Sequence, residues 1–188
     1  MGAIFQSLGR TVLAGVAILA LILLLATGGK VNHAGIAMSL HVISGVMWIG
    51  LLWYFNFVQI PSMPKIPDEQ KPAISKVIAP TALFWFRWAA LATVVTGLLV
   101  AATSGYLVAA LTFQPFTPIG LGMWLALVMA FNVWFIIWPN QKKALGIVTV
   151  EPAEKAKAAR MAMLTSRFNT MLSIPMLFCM VAQRYGSL

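Results

Sequence analysis

The chain has 188 residues, 61% of them hydrophobic and only 9% charged, with a formal net charge of +9. That inverts the balance of a water-soluble domain, and no basic stretch is interleaved with aromatics as in a nucleic-acid binder. The composition implies an all-α polytopic membrane bundle forming one domain, 1–188, with lipid rather than nucleic acid as the partner of its positive charge.

Five apolar blocks of near-spanning length follow one another. The first runs from about Thr11 to Thr27 and ends at Gly28-Gly29. Arg10 ahead of it and Ala26 and Gly28 at its end resemble a signal peptide, but the segment reads as a retained helix. The second runs from about Ala34 to Ile60 and ends at Pro61. The third covers about Ala82 to Thr103, with Gly105 just beyond. The fourth covers about Pro118 to Trp138 and ends at Pro139-Asn140, and the fifth covers about Phe168 to Gln183. Pro64 to Pro80 reads as a surface loop with a short interfacial helix. Glu151-Pro152 reads as a helix start that leads along the surface or directly into the fifth block. Pro175 would free a backbone carbonyl in that last span.

Basic residues orient these blocks. Arg10 precedes the first, Lys65, Lys71 and Lys76 lie between the second and third, and six more fall between the fourth and fifth, from Lys142 to Arg167. The opposite loops carry only Lys30 and Arg184. Loops rich in Lys and Arg stay cytoplasmic, which puts the N-terminus and loops 61–81 and 139–167 inside and the C-terminus outside.

His41 is the strongest chemical candidate. At 1.5 Å per residue it lies roughly 10 Å below the outer surface, where an ionisable group is costly and faces the bundle interior. Gly45 and Trp48 follow on nearly the same face. A small residue and a flat aromatic beside an imidazole would suit a planar cofactor; a neutral histidine bonded to a neighbouring helix is the alternative. Haem needs an axial ligand and often two, yet the spans hold no second histidine. Met176, Cys179 and Met180 form an i, i+3, i+4 sulfur cluster, either a Cu(I) site or ordinary packing. Arg87, in the third span, either snorkels to headgroups or holds an anion. Asn56, Gln59, Asn132 and Asn169 join it in the inner halves of the spans, as a polar vestibule or as helix-bridging amides. All four acidic residues lie in loops, against a carboxylate-based pump.

The stretch from His41 through Trp48 and Asn56 to Pro61 resembles the second-span signature of the membrane domain of bacterial membrane-bound urate oxidases. Arg87-Trp88 with Thr96-Gly97, Asn132 to Lys143, and Ser166-Arg-Phe-Asn169 with Ser173 and Pro175 are similar to later blocks of that family. The resemblance spans about His33 to Met180 and implies urate oxidation at the bacterial inner membrane, with electrons passed to a cytochrome c domain. No Cys-x-x-Cys-His motif occurs here, so the acceptor implied is a separate cytochrome. His41 with Trp48 is also distantly similar to the histidine–tryptophan helix of haem-b protoporphyrinogen oxidases, and a fainter likeness reaches copper-resistance membrane proteins. The expectation is a membrane redox protein binding b-type haem through His41. A non-catalytic subunit of a larger respiratory or photosynthetic complex, or a copper-handling protein, are the alternatives. Arg87, Asn132 and Asn169 are the catalytic candidates.

Overall fold

A computed structural model describes residues 2–30, 32–115 and 117–185. The chain divides into two compact units, one through Ile36 and one from Ala37 onward.

In the first unit, a short turn of helix, Gly2–Phe5, precedes helix α1, Leu8–Thr27. α1 is apolar on every face, with no buried side chain, as suits a lipid-facing helix. It stops at Gly28, whose φ of 61° makes the left-handed cap that a Cβ would disfavour.

Four long helices follow: α2, His33–Lys65; α3, Lys71–Thr103; α4, Thr117–Ala144; and α5, Pro152–Tyr185. Asn32 opens α2 by accepting the Ala34 N–H on its side-chain oxygen. α3 ends at Thr103, and Gly105 (φ 76°) turns the chain into a short helix, Leu107–Leu111. The Glu151-Pro152 start leads straight into the last helix, which runs unbroken from Pro152 past Pro175 to Tyr185.

Two expected stops are passed. α2 continues beyond Pro61 and α4 beyond Pro139, and α3 begins well before Pro80. The connection between α2 and α3 shrinks to residues 66–70, in place of the loop expected over Pro64 to Pro80. The reason is a π-helical turn ahead of each proline: Tyr54–Gln59, Ile74–Ile78 and Asn132–Ile137. The residue just before each proline donates five back, Ile60 to Phe55, Ala79 to Ile74 and Trp138 to Val133. That wider turn makes room for a ring that would clash with the carbonyl four residues back, and the proline has no N–H of its own to satisfy.

From Ala37 onward the helices alternate in direction. His41, early in α2, meets Thr93 of α3, while Phe55, later in α2, meets Phe86, earlier in α3; likewise Arg87 of α3 meets Trp138, late in α4, while Ala101, late in α3, clusters with Ile119 and Met123, early in α4. Asn132, late in α4, meets Asn169, in the middle of α5. The core joins Trp48, Leu52 and Phe55 of α2, Phe86 and Ala90 of α3, Met129 and Val133 of α4 and Met176 of α5. Small residues let the helices close: a Cβ on Gly122 would lie 3.2 Å from the Cys179 Cβ. Large apolar side chains such as Phe57, Val95, Phe135, Ile174 and Phe178 point outward, an arrangement that water would not tolerate over so much surface.

Among the described residues, four helices are long and apolar enough to cross a membrane: α1, α2, α3 and α4. The chain is therefore a multi-pass membrane bundle. α5 is not among the four. Its first half is charged, and its second half carries Asn169 and Ser173, both fully buried against neighbouring helices. Its other face, with Met171, Ile174, Phe178 and Val181, is apolar and exposed.

Candidate functional site

His41 is held by α3. Its Nδ1 lies 2.9 Å from the Thr93 carbonyl oxygen. A carbonyl only accepts, so Nδ1 carries the proton and the neutral ring keeps its lone pair on Nε2. The Thr96 hydroxyl, 3.4 Å from the same nitrogen, donates to Ala92 O at 2.6 Å, so towards Nδ1 it can only accept, in keeping with the same tautomer. A ring nitrogen fixed on a backbone carbonyl, with the other nitrogen free, is the second-shell arrangement of metal-ligating histidines.

Gly97 makes that placement possible. A Cβ there would come within 2.8 Å of His41 Cε1 and 3.1 Å of Nδ1. Thr93 and Gly97, one turn apart on α3, thus form a seat that anchors the imidazole on one side and admits its ring on the other. Neither was among the site residues inferred from the sequence. Their signal was a hydroxyl residue and a glycine four apart on the span after His41, which is a common pattern in membrane helices.

The ring lines a cavity of about 600 Å³, within the range of cofactor-sized sites. Gly45 and Trp48 line it as well. Trp48 is fully buried, and its indole N–H finds no partner among the described residues. A buried donor left open costs stability unless something else accepts from it. Four methionines, Met38, Met123, Met176 and Met180, complete a largely apolar wall. Tyr106, in the connection between α3 and α4, also lines the cavity, and burial pushes its phenol up from the ordinary value of 10.0.

The sulfur cluster divides. Met176 and Met180 share the cavity with His41, whereas Cys179 is buried against Gly122 of α4. Among the described residues no three His, Cys, Asp or Glu side chains gather as a metal cluster. Any metal at this site would rest on His41 and thioethers, or on His41 alone through a haem. A haem bound here would be held by His41 Nε2, the one imidazole among the residues lining the cavity.

Arg87, Asn132 and Asn169 lie outside this cavity. The amides form a helix-bridging chain: Asn132 Nδ2 donates to Asn169 Oδ1 at 2.8 Å, and Asn169 Nδ2 to Met129 O at 2.9 Å. Asn56 bridges in the same way to Ser166 Oγ at 2.8 Å, and the Trp53 indole to Ser173 Oγ at 3.0 Å. Arg87 stacks on aromatic rings, with its guanidinium carbon 3.7 Å from the centroid of the Trp138 ring. The polar residues do not converge on a common space with His41.

Residues 112–188 match the family model described as urate oxidase N-terminal. The match is consistent with membership in that broader family. It takes in α4, α5, both bridging asparagines and the sulfur cluster, while His41 and its seat on α3 precede it. No curated protein and no solved structure matches the chain.

Proposed function

We propose that this chain is an integral-membrane redox protein of the urate-oxidase-like family that carries a b-type haem on His41. The observation supporting the reading is the His41 ring itself, with Nδ1 tied to Thr93 O, Nε2 free, and a cofactor-sized cavity beside it. When bound, the haem supplies one-electron chemistry at iron. His41 holds the group in place, and Thr93 fixes the ring tautomer and orientation. Gly97 lets the ring lie against α3, and the apolar wall excludes water. The wall methionines and Tyr106 carry the other ligand-type atoms on the cavity. The asymmetric lysines and arginines support an N-terminus in the cytoplasm of a bacterium. A separate cytochrome is the electron acceptor in this reading, and urate is the first reductant to test.

The test is a reduced-minus-oxidised spectrum of the purified protein, with pyridine haemochrome and copper analysis on one sample. Stoichiometric b-haem that disappears in His41→Ala, while the variant still inserts, is the expected result. Haem content unchanged in His41→Ala would remove the assignment. The shared wall of His41, Met176 and Met180 favours copper as the second reading; copper without haem, lost in Met176→Leu, would establish it. A colourless, copper-free chain that purifies only within a larger respiratory or photosynthetic assembly would make it an accessory subunit.

A further inference from the structure

Arg87 and Lys142 share one aromatic partner and lack a counter-ion. The Arg87 guanidinium lies over the Trp138 ring at 3.7 Å, and the Lys142 ammonium lies over the same ring at 5.6 Å. The ion pairs among the described residues are Lys71–Asp68 and Lys143–Glu154, so neither of these two cations meets a carboxylate. The neighbouring Trp134 ring lies 6.0 Å from the Arg87 guanidinium. Two cations therefore rest on aromatic rings with no carboxylate answering either among the described residues. Ring faces attract cations but leave their N–H groups unbonded, and a guanidinium beside lipid calls for a charge partner.

We infer that Arg87 and Lys142 form a binding site for a phosphate group, and that its occupant is the phosphodiester of an anionic phospholipid. The guanidinium fork suits phosphate oxygens in a bidentate fashion. Two cations favour a net negative headgroup over a zwitterionic one. The rim is aromatic and open: Phe84, Trp85 and Trp88 are exposed and contact one another beside Arg87. Such a rim is suited to the boundary between headgroup and acyl chain. The site lies near the lysine-rich end of α4, where Lys142 and Lys143 fall in the last turn, the end the charge pattern assigns to the leaflet that holds anionic lipid. It shares no side chain with the His41 cavity, so either reading can fail without the other.

The experiment uses full-length protein in nanodiscs of phosphatidylcholine alone or with increasing phosphatidylglycerol, and reads thermal stability and lipid retained on delipidation. Phosphatidylglycerol should be retained and stabilising. Arg87→Gln and Lys142→Gln should each weaken its apparent affinity about fivefold, and Arg87→Lys should recover only part of the loss. Haem content in the same samples should stay at the wild-type level. Retention that is equal for both lipids, or unchanged in the Arg87→Gln and Lys142→Gln double variant, would overturn the site. Inorganic phosphate, added as a soluble probe, should compete only weakly; stabilisation by phosphate alone, matching that of the lipid, would overturn the lipid as occupant.

Discussion

Replacing Gly97 with alanine perturbs the seat of His41, whose ring supplies the three atoms nearest the added methyl. The added methyl would lie 2.8 Å from Cε1 and 3.1 Å from Nδ1 of the imidazole, far inside van der Waals contact. Either α3 moves away from α2 or the ring swings off Thr93 O and breaks the 2.9 Å bond. Overpacking of a close contact costs about 1–3 kcal/mol, and the lost hydrogen bond adds about 1 kcal/mol. Gly97→Ala should therefore destabilise the bundle by roughly 2–4 kcal/mol, measured as unfolding in mixed micelles. The discriminating step is to repeat the substitution in His41→Ala. With the ring gone the methyl has space, so most of the cost should vanish and the double-mutant cycle should show strong coupling. An equal cost in both backgrounds would refute the placement of the ring against Gly97. Haem binding offers an independent readout, because a displaced ring should lower haem retention without abolishing insertion.

The amide bridge predicts that Asn132→Ala and Asn169→Ala destabilise and couple by about 0.6 kcal/mol, and by less than about 2, while cofactor content is unchanged. Loss of cofactor in either variant would refute a purely bridging role. Tyr106 supplies a pH prediction. Its folded pKa is raised by burial, so its contribution to stability is complete below the unfolded value near 10 and declines as pH rises through the folded value. Thermal stability between about pH 9 and pH 11 should fall less steeply in Tyr106→Phe than in the parent. Parallel curves would show that the phenol is not buried as described. Met180→Leu should keep the fold, since the two side chains are close in volume, and should shift the haem spectrum if that thioether ligates iron.

Much of the helical framework was legible because a membrane leaves few choices. Without water, a spanning segment must satisfy its own backbone, so the apolar blocks placed the helices directly. The errors fell at the prolines. Pro61 and Pro139 lack the N–H and crowd the preceding turn, and a sequence shows both effects but not the remedy. In each case the chain shifts to bonds five residues apart for one turn and continues. Nothing in the side chains of Tyr54–Gln59 or Asn132–Ile137 announces that shift, since π turns carry no strong residue signature. α5 was harder to read for the opposite reason: its hydropathy is lowered by Asn169 and Ser173, whose partners on other helices make them harmless.

The site was half legible on the same grounds. His41 stood out because an ionisable group in an apolar span is expensive, and the cost marks it without any knowledge of its surroundings. Its supports cost nothing locally. Thr93 contributes a backbone carbonyl, which every residue possesses, and Gly97 contributes the absence of a side chain. Thr93 also bonds its own hydroxyl to Ala89 O at 2.7 Å. A hydroxyl drawing on the carbonyl four residues back can bend a helix, and here it sits at the point where α3 meets the imidazole. Arg87 follows the same logic. Its charge marks it in an apolar span, and the cost is met by the Trp138 ring and, on our reading, by lipid. In this bundle an expensive residue marks a place where something must compensate, and only the packed neighbours reveal whether that is a cofactor, an aromatic face or another helix.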